Sequence, residues 1–341
     1  MIDHPKQLAY LLTSKDQNFF AARSQANNLF QGSKAVKNEN TINFVNDLLA
    51  SGKLVSVMKT NFLTKLEAEF KDWLLAHNTN TILGFDQFNA SFSTGTTQAF
   101  DSFYFRHRAC RFRCLVGEYF YHLKTWQAES VNWNFITDDD PVVAGDAVVI
   151  SAPFCDTGSL HPQHTELIKH CEQLGIPVLI DSCYYTISGG LDIDLNYSCI
   201  DTIAFSLSKA FPVSLMRIGM RYTRKDIFDG QSLHSSISYN NALSAAIGIE
   251  IINAFGADYI YNTYLDKQQE VCNTLPGLTA STCSLFAVGD DRWRQYSRAT
   301  LLNSYKLDFD PKLFANRICL NPIYENWDLW NLYKNEYSAD F

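Results

Sequence analysis

Among the 341 residues there is no Cys-x-x-Cys pair, no excess of basic charge, no long apolar run and little glycine or proline. Each gap removes a class of protein. The 9 cysteines are odd in number and scattered, which excludes a disulfide scaffold and fits a reducing compartment. Zinc-ligand spacing is missing too. His161 and His164 form an HxxH with no second ligand pair nearby, so no metal is expected. With 16 Gly and 9 Pro the chain is neither collagen-like nor low in complexity. Lys and Arg number 28 against 36 Asp and Glu, a net charge of −8, which excludes a global surface for nucleic acid. One local basic cluster exists, Arg106, His107, Arg108, Arg111 and Arg113, where a helix should hand over to a strand. It reads as a solvated helix end. No stretch reaches the roughly 18 apolar residues of a membrane span. The N-terminal residues lack the apolar core of a signal peptide. A soluble, cytoplasmic protein with no membrane and no nucleic-acid partner is expected.

What is present is a globular composition. Apolar residues make up 46%, and aromatics, 14%, are spread along the chain, so a large core can form. At roughly 150 residues per domain the length suggests about two domains. Residues 1–55 read as polar and helical, with amphipathic pieces at Gln7–Leu12 and Thr41–Leu49. From about residue 60, helix and strand alternate. Phe62–His77 is helical, with Phe62, Leu66, Phe70, Trp73 and Leu74 on one face. Phe88–Ser93 reads as a strand and Thr97–Arg108 as a helix. Arg111–Val116, Val131–Ile136 and Ala147–Ser151 are further strands. Pro162–Leu174 is a helix that Gly175 stops. Pro177–Asp181, Thr202–Ser206 and Met216–Tyr222 are strands, and Asn240–Phe255 is a helix. The alternation predicts an α/β domain with a mostly parallel sheet. Beyond residue 270, Leu278–Val288 and Arg317–Leu320 read as strands of a smaller lobe built jointly from both termini.

Open α/β sheets bind ligands at the carboxyl ends of their strands, so polar residues there are the candidates. Ser93-Thr94-Gly95-Thr96-Thr97 lies between a strand and a helix, where unpaired N–H groups suit a phosphate and Gly95 permits close approach. Asp181 ends the apolar Val178-Leu179-Ile180 and, if buried, asks for a cation. Ser206-Leu207-Ser208-Lys209 ends the next strand, with Arg217 eight residues on. The hydroxyls and the arginine make an anion site, and a desolvated lysine there can act as a nucleophile. Arg317, alone in an apolar strand, needs an acidic partner or a carboxylate ligand.

In this order the residues resemble fold-type I pyridoxal-5′-phosphate (PLP) enzymes, specifically the class I/II aminotransferase family. The resemblance spans about residues 60–320. It is carried by Asp181-Ser182-Cys183-Tyr184 and by Ser206-Leu207-Ser208-Lys209 with Arg217-Ile218-Gly219. It implies an aspartate aminotransferase-like α/β fold: a large domain with a mostly parallel seven-stranded sheet, and a small α+β lobe. Residues 1–59 would form an N-terminal arm and part of the small lobe, 60–255 the PLP-binding domain, and 256–341 the rest of the lobe. It further implies that Lys209 carries PLP as an aldimine, Asp181 pairs with the ring nitrogen and Tyr184 bonds the ring oxygen. Gly95, Thr96, Thr97, Ser206, Ser208 and Arg217 would hold the phosphate, and Arg317 the substrate's α-carboxylate. Tyr119 would stack on the ring, with Phe120 and Tyr121 as alternatives. Cys155 stands where the family has an asparagine, in Cys155-Asp156-Thr157-Gly158 for Asn-Pro-x-Gly, and a thiol is a poor donor to the ring oxygen. The implied activity is amino transfer between an amino acid and a 2-oxo acid by a homodimer. The alternative is elimination or decarboxylation with the same cofactor.

Overall fold

The computed structural model describes residues 30–58, 61–302 and 305–338. The piece Gln7–Leu12 therefore lies outside the described residues. In chain order the first elements are helices α1 (Glu39–Ala50) and α2 (Phe62–Leu75), strands β1 (Thr81–Leu83) and β2 (Phe88–Thr94), helix α3 (Thr96–Arg106) and strand β3 (Arg111–Cys114). Helix α4 (Phe120–Ala128) and strands β4 (Trp133–Phe135) and β5 (Asp146–Ser151) follow. Helix α5 (His164–Leu174) leads to β6 (Val178–Asp181), β7 (Asp192–Asp194), β8 (Ile200–Ser206) and β9 (Ile218–Arg224). Then come α6 (Gly230–Ser236), α7 (Ala242–Ala254) and α8 (Tyr259–Thr274), strands β10 (Leu278–Ala280), β11 (Phe286–Gly289) and β12 (Asn316–Cys319), and helices α9 (Asn321–Tyr324) and α10 (Trp327–Ser338).

The main sheet has seven strands in the order β2-β9-β8-β6-β5-β3-β4, and only β9 runs against the rest. Its central strands are buried along their whole length, as helices on both faces require. Alternation decides which helix each residue meets. Val148, Ile150, Ile180 and Phe205 join the core beneath α2 and α7, while Ala147, Val149, Leu179 and Ala204 face α3 and α4. Helix α5 ends at Gly175, whose φ of 63° is the left-handed cap that glycine supplies. Among the described residues no single helix is long and apolar enough to cross a membrane.

Two readings of the sequence are corrected here. The basic cluster is not a solvated helix end. Arg113 is fully buried on β3 and pairs with the buried Asp146 of β5 at 2.9 Å, with Arg111 on the same carboxylate at 2.8 Å. Arg106 pairs with Asp201 and, at 2.7 Å, with Asp229, which also takes the buried Arg221 of β9 at 2.6 Å. Arg111 and Arg113 tie β3 to β5, and Arg106 and Arg221 tie α3 and β9 to the cap of α6; the acids that answer Arg106, Arg111 and Arg113 lie too far along the chain for spacing to reveal them. Leu278–Val288 is two strands rather than one. β10 turns back on β11, and β12 pairs with β11 on its other edge, all antiparallel. Helices α4 and α8 and the parallel β1–β7 ribbon were not read from the sequence at all.

The chain before α1 is sewn into the C-terminal lobe. The Cys319 N–H donates to the Phe30 carbonyl at 2.7 Å, and the Asn321 amide donates to the Lys34 carbonyl at 2.8 Å. The Phe30 ring stands edge-on to Trp293 and Tyr296, with centroids 6.4 and 6.3 Å away. This stitching carries Gln31–Lys34 across the carboxyl ends of the main sheet.

Candidate active site

Three strand ends build the site. Between β2 and α3 the backbone turns at Gly95, with φ 75°. A Cβ there would lie 2.2 Å from Arg217 Nη2, so only glycine admits the guanidinium. Arg217 itself is left-handed (φ 55°, ψ 57°), a costly conformation for an arginine and one that marks functional sites. Its Nη2 donates to Thr97 Oγ1 at 3.1 Å. At the end of β8, Ser206 Oγ bonds Ser208 Oγ at 2.9 Å and the Ile218 carbonyl at 3.1 Å, and accepts the Ser208 N–H at 3.1 Å. Thr96, Thr97, Ser206, Ser208 and Arg217 thus form a cup of hydroxyls and one guanidinium at a helix N-terminus. Such an arrangement can receive a phosphate-like anion. Among the described residues no carboxylate ion-pairs with Arg217.

Beside the cup, β6 ends in Asp181. It is 2% exposed and has no ion-pair partner among the described residues. Burial lifts its carboxyl to about 6. The Cys183 N–H, at 3.0 Å from Oδ1, and the charge of Lys209 pull it back only in part. A buried acid so placed accepts a cation from a ligand.

Lys209, half-buried, donates from Nζ to Ser33 Oγ at 3.1 Å and lies 5.9 Å from the centre of the Tyr184 ring. Tyr184 is buried, and its phenol receives Arg317 Nη1 at 3.0 Å with Cys155 Sγ 3.8 Å away. Arg317 is buried on β12, also donates to the Cys155 carbonyl, and packs 4.4 Å from the centre of the Phe286 ring. No carboxylate among the described residues ion-pairs with it. A buried arginine with only neutral acceptors is open to an incoming carboxylate.

The structure brings most of the residues singled out in the sequence together around one cavity. Thr96, Thr97, Tyr119, Tyr184, Ser206, Ser208, Lys209 and Arg217 line a cavity of about 80 Å³, which opens outward past the exposed Arg217. Gly95 underlies Arg217. Asp181 sits beneath Cys183, and Cys155 and Arg317 sit behind Tyr184. Of the three aromatics, only Tyr119 reaches the cavity. Phe120 is buried against Arg298 and Phe314, and Tyr121 is tied to Asp101 at 2.9 Å. A larger cleft of about 390 Å³ opens between Thr137–Val142 and α5. It gathers none of these groups, and chemistry rather than volume decides between the two.

Sequence reasoning missed Ser33, which sits in a polar stretch with no periodic signal. It also missed Cys183 and Ser214, which line the cavity beside named neighbours, and the buried Glu118 next to Tyr119. Burial of a lone glutamate cannot be read from its own position. The HxxH gathers no ligands: among the described residues there is no metal-binding cluster.

No family profile matches this chain, and no curated protein matches it significantly. Solved structures do. An aminotransferase from Helicobacter pylori superposes with a TM-score of 0.64 at 14% identity, covering 99% of this chain and 98% of that one. The histidinol-phosphate aminotransferase of Clostridium acetobutylicum gives 0.59 at 13%, covering 90% and 98%. The L-threonine-O-3-phosphate decarboxylase of Porphyromonas gingivalis gives 0.59 at 12%, covering 90% and 99%. The chain has the aspartate aminotransferase-like fold over nearly its whole length.

Proposed function

We propose that this protein is a PLP-dependent enzyme acting at the α-carbon of amino acids, and that its reaction is amino transfer to a 2-oxo acid. One observation carries the reading: a lysine amine, an anion cup and a buried carboxyl without a cation converge on one cavity. Each matches a part of PLP. The cup of Ser206, Ser208, Arg217 and the start of α3 fits the phosphate, and Gly95 keeps it open. Asp181 fits the protonated ring nitrogen, Tyr184 the ring oxygen and Tyr119 the ring face. Lys209 fits the aldehyde carbon.

Bound PLP supplies the electron withdrawal that lets a bond at the substrate α-carbon break. The chain supplies the rest. Arg317 takes the substrate's carboxylate in a charge-assisted fork, which orients the α-carbon. Lys209 would carry the proton to and from the substrate α-carbon. Such transfer by a positioned group contributes roughly 10²–10⁴-fold. Asp181 would hold a proton on the ring nitrogen. The homodimer implied by the resemblance is part of this proposal. Arg217 is exposed, and Leu215 before it and Phe228, Ile237 and Tyr239 after it put large apolar side chains on the surface, a composition suited to a second copy.

The test is the visible absorption of the purified protein with PLP, before and after borohydride, with the reduced adduct mapped by peptide mass. A band that bleaches, with the label on Lys209, supports the reading; a protein that takes up no PLP overturns it. A second reaction on the same site is favoured by one feature. Cys155 offers the ring oxygen only a thiol where the family resemblance calls for an amide. Turnover of an amino acid without any 2-oxo acid would establish elimination or decarboxylation instead.

A further inference from the structure

Behind the cavity lies a second buried acid that the mechanism above does not use. Glu118, fully buried, stands in the turn between β3 and α4, one residue before Tyr119. Its Oε1 accepts the Ser151 N–H at 2.6 Å, and Oε2 accepts the Ser151 hydroxyl at 2.5 Å and the Tyr119 N–H at 3.2 Å. Ser151 is the last residue of β5 and lies in register with Asp181 on β6. The same turn is clamped through its backbone. Arg298 donates to the Gly117 and Glu118 carbonyls at 2.9 and 2.6 Å, and its charge is spent on Asp156 at 2.7 Å.

No cation ion-pairs with the Glu118 carboxyl among the described residues. The ionisable groups facing it are Asp181 from β6, Cys114 from β3, the Arg298–Asp156 pair, and Tyr119 on its own turn. Burial lifts its carboxyl to about 7, against the pull of the Ser151 donors, and the charge of Asp181 adds to the rise. Holding the turn to Ser151 needs no ionisable group, since a glutamine keeps the Ser151 N–H on its oxygen and can donate to the Ser151 hydroxyl, losing only the acceptor for the Tyr119 N–H.

We propose that Glu118 is a positioning residue for the cofactor ring: its carboxyl ties the turn bearing Tyr119 to the strand end beside Asp181, and its charge strengthens the hold of Asp181 on a protonated ring nitrogen. The inference rests on the PLP reading. When both acids are ionised, the site carries two negative charges and favours a pyridinium more than Asp181 alone does. When Glu118 is protonated, that extra attraction is gone.

The experiment compares PLP dissociation constants of the wild-type apoprotein and Glu118→Gln across the pH range around 7, by quenching of tryptophan fluorescence. On the acid side the two bind PLP equally. On the alkaline side the wild type pulls ahead by roughly 3–10-fold, the size of a partly screened charge interaction. A difference that stays constant with pH overturns the proposal and leaves Glu118 a purely structural anchor. Should Glu118→Gln fail to fold, Ser151→Ala takes its place. Loss of one donor moves the ionisation, and with it the rise in PLP affinity, to higher pH; a profile that overlays the wild type is the overturning result. Wild type that binds no PLP at any pH overturns the PLP reading itself, which a flat ratio does not.

Discussion

At the scale of single residues, the site depends on groups with no substitute. Lys209→Ala should leave no borohydride-fixed PLP and lower turnover by at least about 10²–10⁴-fold; undiminished activity would end the enzymatic reading. Gly95→Ala places a methyl 2.2 Å from Arg217 Nη2 at a φ of 75°. It should weaken PLP binding by about tenfold or more, through a displaced guanidinium, with Lys209 chemistry intact once PLP is saturating. Equilibrium dialysis reads this directly, and unaltered affinity would mean that Arg217 does not hold the phosphate. Arg317→Lys loses the planar fork. KM for the amino acid should rise by roughly 10–100-fold with the PLP spectrum unmoved. Gly95 and Lys209 were legible in the sequence because they stand just past a strand, and Arg317 because it is a lone charge within an apolar one. Ser33 and Glu118 were not, since their roles come from neighbours far along the chain.

At the scale of elements, the ion pairs between strands matter more than their surface spacing suggests. Asp146 on β5 answers both Arg111 and Arg113 of β3. Asp146→Ala takes the buried carboxylate from Arg113, leaving it Asp140 at 3.2 Å and backbone carbonyls, and should cost about 2–3 kcal/mol in urea unfolding. A loss below about 1 kcal/mol, the size of a surface pair, would contradict the burial. The arginine run looked like a solvated helix end because charge is normally exposed, and the pairing of β3 with β5 lies outside any local pattern. The β10–β11 turn was missed for a related reason. An apolar run with few breakers reads as one strand until the partner strand is known.

For the whole molecule, pH sets opposing demands. Burial pushes His122 down to about 3 and His164 to about 4. Unfolded histidine takes its proton near 6.5, so each contributes stability that is lost as pH falls from there to its folded value. Burial acts to raise Asp229, but the bond from Arg221 overrides it and holds the carboxyl well below the usual range. Its stability is lost at still lower pH. Glu118 and Asp181 act the other way. Raised to about 7 and about 6, they favour the fold while protonated, and that contribution drains away as pH rises from the ordinary carboxylate range. Thermal melts of the apoprotein should show steep loss below about pH 4 and near-constant stability toward neutrality. Equal melting temperatures at pH 3 and 6 would contradict these burials.

Most of the helix–strand alternation, the mostly parallel sheet and the candidate constellation from Asp181 to Arg217 were determined by the sequence alone. Apolar periodicity and punctuation at strand ends are local, and the residues bearing the chemistry sit at those ends. Only the tertiary structure decided that Tyr119 rather than Phe120 or Tyr121 faces the cavity, that Arg317 lies against Tyr184, that Ser33 reaches Lys209 and that Glu118 is buried behind Asp181. Each of those depends on contacts between segments far apart in the chain, and burial and charge pairing exist only once the segments have met.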